Sequence, residues 1–244
     1  MHDDPHPTEM SFLEAHLKYL MEDARLTPKL QLERAVGPLL THFIARAMSG
    51  LTLTPENSDL AGHYRLICCE FPLKKSNNQS TNVDWLLLNE TTGCLVFLEL
   101  KTDVNSISSE QLKRYGPHLK KTLEFQKNIL KISGASRHGL KYEHQRQKLM
   151  KLWEKLSELN SSKIVYLAPS SALIKDPQEL PSPFHKISFA DLPAKIEGGY
   201  SDEWSLIRRY LLSLDKPLRR EVERSVVDNT SLYLRQTDGD STAS

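Results

Sequence analysis

Three side chains in this chain have the types that metal-assisted hydrolysis uses: Asp84, Glu99 and Lys101. Two carboxylates offer hard oxygen donors to a divalent cation, and an ammonium beside them can orient a water and offset negative charge. The residues around them have a clear local pattern. Asn82-Val83-Asp84-Trp85-Leu86-Leu87-Leu88 leads into Asn89-Glu90-Thr91-Thr92-Gly93, and then Cys94-Leu95-Val96-Phe97-Leu98-Glu99-Leu100-Lys101 follows. Two apolar runs flanking a turn that ends in Gly predict a β-hairpin. With the turn centred between Thr91 and Thr92, antiparallel pairing sets Asp84 directly opposite Glu99. Lys101, two residues beyond Glu99, projects from the same face. A bulged turn would slip the pairing by one residue and separate the carboxylates.

The plain alternative is an exposed hairpin whose charges face water. The neighbours argue against it, because Val96, Phe97, Leu98 and Leu100 put apolar side chains on both faces, as does Trp85-Leu86-Leu87-Leu88. Strands apolar on both faces belong inside a covered sheet. Charges there are costly unless they are paired or bind a metal. The pattern therefore points to Mg²⁺ (or Mn²⁺) held by Asp84 and Glu99.

Asp84, fourteen intervening residues and then Glu99-Leu100-Lys101 resemble the D…(D/E)-x-K signature of the PD-(D/E)XK nuclease superfamily. Val83 stands where that family's proline would be. Downstream, Gln111-Leu112-Lys113-Arg114-Tyr115 is similar to the Q-x-x-x-Y motif of the RecB-like branch. The resemblance implies an α/β fold with a restriction-endonuclease-like αβββαβ core, a mixed sheet flanked by helices. It also implies metal ligation by Asp84, Glu99 and the Leu100 carbonyl, with Lys101 acting on the attacking water. A Glu on the first core helix often joins such sites. Glu33 fills that place, with Glu14 as its rival; a surface ion pair is the plainer role for either. Gln111 and Tyr115, with Lys113 and Arg114, would position a nucleic-acid strand, most simply DNA. For Gln111 the plainer role is a capping box with Ser108, and for Tyr115 packing against the sheet.

Composition sets the frame. The chain has 244 residues, 39% hydrophobic and 26% charged, with a net charge of +1. That suits a soluble globular domain with a sizeable core. No apolar run approaches the length of a membrane span. The start, Met1-His2-Asp3-Asp4-Pro5, lacks a secretory h-region, and three cysteines make neither a disulfide framework nor a zinc or iron–sulfur pattern. The expected setting is a reducing cytoplasm. Charge is unevenly spread: positions 113–155 hold twelve Lys or Arg against three Glu, so the rest of the chain carries about −8. A basic block just after the hairpin suits a polyanion, and its two helices suit a homodimer interface as well.

The elements that must position these residues follow from periodicity. Residues 1–27 read as an N-terminal helical arm, 28–235 as the nuclease-like domain and 236–244 as a disordered tail. A helix over 28–48, kinked at Gly37-Pro38, carries Val36, Leu40 and Phe43 inward. Residues 51–62 read as a loop and Tyr64–Leu73 as a strand whose Glu70 is either an outer carboxylate of the site or simply edge-exposed. Lys163–Ala168 reads as a fully buried strand, Lys186–Phe189 as a short one and Glu203–Leu214 as a helix. Against the nuclease stands one rival from another class: a catalytically silent module of the same fold that binds a partner.

Overall fold

The computed structural model describes residues 10–22, 32–74, 80–102, 143–144, 147–148, 161–170 and 184–215. They form an α/β structure around one five-stranded mixed sheet. The strands are β1 (Tyr64–Lys74), β2 (Ser80–Asn89), β3 (Cys94–Leu100), β4 (Ser161–Ala168) and β5 (Phe184–Ser188), side by side in that order. β1, β2 and β3 run antiparallel, whereas β4 and β5 add in parallel to β3. β3 is thus the middle strand, and each of its residues is buried. Its composition, apolar on both faces, is what such a position requires.

One face of the sheet packs on helices α1 (Phe12–Glu22), α2 (Leu32–Thr41), α3 (Ile44–Ser49) and α4 (Ser201–Ser213). Alternate residues of β3, Val96, Leu98 and Leu100, meet Leu17, Val36, Ile44 and Trp204 in this core. The stretch read as an N-terminal arm therefore contributes Leu17, Leu20 and Met21 to the same cluster as the sheet. The opposite face carries Leu86, Leu95, Phe97 and Ile164, which are also buried.

The helix expected over 28–48 continues through Pro38 and breaks instead at His42–Phe43. There the Phe43 amide bonds to the Leu40 carbonyl, and the Thr41 hydroxyl takes the Gly37 carbonyl. The Phe43 bond spans three residues, the tighter spacing found at helix ends. The segment read as a loop at 51–62 contains a 3-10 helix, Pro55–Leu60, begun by a reciprocal Thr54–Asn57 cap. Among the described residues no helix is long and apolar enough to cross a membrane.

The hairpin register is locked by Asn89. Its side-chain oxygen accepts from the amides of Thr91 and Thr92, and its amide group donates to the Ala61 carbonyl. Gly93, at φ 67°, closes the turn in the left-handed region that favours glycine. Gly62 lies against Asn89 so closely that a Cβ would fall 2.4 Å from its oxygen. The ladder then runs from Asn89↔Cys94 to Trp85↔Leu98, the register of a turn centred between Thr91 and Thr92.

Candidate active site

The β2–β3 ladder ends at Trp85↔Leu98, and Asp84 and Glu99 are the next residue of each strand. Asp84 is fixed there by the backbone: its Oδ2 accepts from the Leu100 amide at 2.7 Å. Glu99 is 3% exposed and Lys101 7% exposed, and Lys101 Nζ lies 3.6 Å from Glu99 Oε2. The Lys101 amide donates to the Leu167 carbonyl on β4, so the backbone carrying this lysine stays attached to the sheet. Two carboxylates and one ammonium meet at the end of the hairpin, inside the protein.

Glu33, in the first turn of α2, reaches the same end of β3. Its Oε1 accepts from the Thr102 amide at 3.3 Å, next to Lys101. Glu14 instead pairs with Arg209 on α4. Glu70 falls between the pairs Cys69↔Trp85 and Phe71↔Val83 on β1, opposite Asp84. It is exposed, adopts φ 51° and accepts from Asn82 Nδ2 at 3.1 Å. A non-glycine residue at such a φ carries local backbone strain. Glu70 is thus both edge-exposed and within electrostatic reach of the site.

These surroundings act on Asp84. Burial pushes its carboxyl up to about 6, further raised by the charges of Glu33 and Glu70 and opposed by the Leu100 hydrogen bond and by Lys101. Such a carboxylate gains from a nearby cation. Carboxylate oxygens are the donors that hard dications take. Among the described residues, no group of three or more His, Cys, Asp or Glu is arranged to hold a metal ion. Leu100, whose carbonyl the resemblance adds to the ligands, is buried, and its amide is the group that holds Asp84.

Gln111, Lys113, Arg114 and Tyr115 lie outside the described residues, as does most of the basic block. One residue of the site's surroundings is not singled out by the sequence pattern. Tyr166 pairs with Glu99 across β3 and β4, so the two share a face, and the tyrosine is fully buried. Its phenol is pushed far up, by burial first and then by the charge of Glu99. The available signal is a single polar tip within the apolar run Ile164-Val165-Tyr166-Leu167-Ala168. No protein-family model, curated protein or solved structure matches this chain.

Proposed function

We propose that this chain is a metal-dependent nuclease of the PD-(D/E)XK type, hydrolysing phosphodiester bonds in DNA. The observation that supports the reading is Lys101 against Glu99 at the end of β3, with Asp84 on the adjacent strand held by the Leu100 amide. The element order, helix then three antiparallel strands then a parallel strand, is compatible with the αβββαβ core.

In this reading Asp84, Glu99 and the Leu100 carbonyl hold Mg²⁺ or Mn²⁺, which when bound supplies a Lewis acid for the scissile phosphate. Lys101 orients or deprotonates the attacking water and offsets charge gathering on the phosphoryl oxygens. Glu33 holds the Thr102 amide and so fixes the backbone that carries Lys101. The water attacks phosphorus, the bond to the 3′ oxygen breaks, and that oxygen leaves as a hydroxyl opposite a 5′-phosphate. Gln111, Tyr115, Lys113 and Arg114 position the strand.

A second reading draws on a different observation. Asp84 already commits one oxygen to a backbone amide, and no three-ligand group is arranged among the described residues. A catalytically silent module that binds a partner would need nothing more. The purified protein, incubated with Mg²⁺ or Mn²⁺ and labelled linear, circular and single-stranded DNA, separates the two. Cutting that needs metal and is lost in Glu99→Ala and Lys101→Ala supports the nuclease. Absence of cutting in either metal favours the silent module, and cutting that survives both substitutions moves the site elsewhere.

A further inference from the structure

Tyr166 poses a problem that the proposed chemistry does not use. Its side chain is fully buried, yet its hydroxyl has no hydrogen-bond partner among the described residues. Buried donors are normally paired, and leaving one unpaired is costly. A phenylalanine would fill the same volume without that cost.

The place of this hydroxyl suggests what it is for. β3 and β4 pair in parallel with Glu99 beside Tyr166, so the two Cα atoms are neighbours across the ladder and both side chains leave the same face. Glu99 is itself buried, and its charge is one of the two influences raising the phenol, so the groups are within electrostatic reach. A tyrosine phenol is protonated at neutral pH and can donate. The contact from Glu99 to Lys101, at 3.6 Å, is long for a charge-assisted hydrogen bond.

We propose that Tyr166 is a positioning residue for Glu99: when the carboxylate turns one oxygen to a divalent cation, the Tyr166 hydroxyl donates a hydrogen bond to the other. Donors behind a ligating carboxylate orient it and set its affinity for the metal. The inference rests on the nuclease reading only in so far as Glu99 is a metal ligand; it assigns a role within that site to a residue on a different strand.

Titration of the full-length protein with Mn²⁺ by calorimetry tests it, comparing the wild type with Tyr166→Phe and recording thermal unfolding of both without metal. Removing the hydroxyl is expected to weaken Mn²⁺ binding about 10- to 100-fold. Metal-free thermal stability should stay the same or rise, because an unpaired buried donor is gone. Equal Mn²⁺ affinity in the two proteins would overturn the inference while leaving the metal site intact. A drop in metal-free stability with unchanged affinity would assign the hydroxyl to the core and overturn it as well. A wild type that binds no Mn²⁺ would remove the metal site itself, and with it this role. Glu99→Asp, introduced into both the wild type and Tyr166→Phe, tests the same coupling by Mn²⁺ titration of all four proteins. A shortened carboxylate withdraws from the phenol, so the effect of Tyr166→Phe should shrink in that background; an undiminished effect would show that the hydroxyl does not act through Glu99.

Discussion

The Asp84 carboxylate accepts a hydrogen bond from the Leu100 amide across the hairpin, so one peptide links the first acidic residue of the site to the strand that carries the second. The bond favours the ionised carboxylate, burial works against it, and the pH sensitivity of Asp84 follows from that burial.

The Asp84 carboxyl is raised to about 6 from the ordinary value of 3.8. A carboxyl raised on folding favours the folded state most when protonated. Its contribution is therefore fully present below about pH 4 and is lost as pH rises through about 6. Metal-free protein should lose on the order of 2 kcal/mol of stability across that window, allowing for the partial exposure of Asp84. Asp84→Asn should flatten the slope and be as stable as the wild type, or more stable, at pH 7. Urea unfolding at a series of pH values checks this. Metal affinity should rise over the same window, since the ligand must be deprotonated.

The charges of Glu33 and Glu70 both raise Asp84. Glu33→Gln and Glu70→Gln should each lower its pKa, read by carboxyl carbon chemical shifts on titration. An unchanged value in both would mean that burial alone sets it. Glu33→Ala should also slow cleavage about tenfold or more through loss of the Thr102 contact, whereas Glu70→Gln should leave it nearly unchanged.

Lys101 sits beside a buried carboxylate, and removing one member of a buried pair is costly. Lys101→Met keeps the aliphatic stem but deletes the charge. It should destabilise the metal-free protein by on the order of 3 kcal/mol. Saturating Mg²⁺ should restore part of the loss by supplying a cation near Glu99. Chemical denaturation with and without the metal measures both effects; equal stability of the two proteins would show that the pair is not coupled to folding.

The hairpin is the most legible part of the fold, because its register follows from a short turn. Asn89 makes the pairing reliable by bonding its own turn and the Ala61 carbonyl, a role visible only once Gly62 is seen packed against it. Glu33 can be placed on a helix beside the apolar stripe from spacing alone. Its contact to Thr102 depends on how α2 meets the end of β3, which no local pattern encodes. The helix runs through Gly37-Pro38 and ends at Thr41, and the break at His42–Phe43 has no signal in the sequence pattern. In sequence Tyr166 is simply part of a buried strand. Its relation to Glu99 arises from parallel pairing between strands far apart in the chain, which periodicity within either strand does not reveal.

The most direct measurement is the single-turnover rate of DNA cleavage with Mg²⁺ for the wild type, Asp84→Asn and Glu99→Gln, with DNA binding followed in parallel. Cleavage by the wild type that falls by about 10³-fold or more in both variants, while each still binds DNA, is the predicted result. A wild type that binds DNA without cutting it, or variants that cut at the wild-type rate, would contradict a catalytic site at this hairpin.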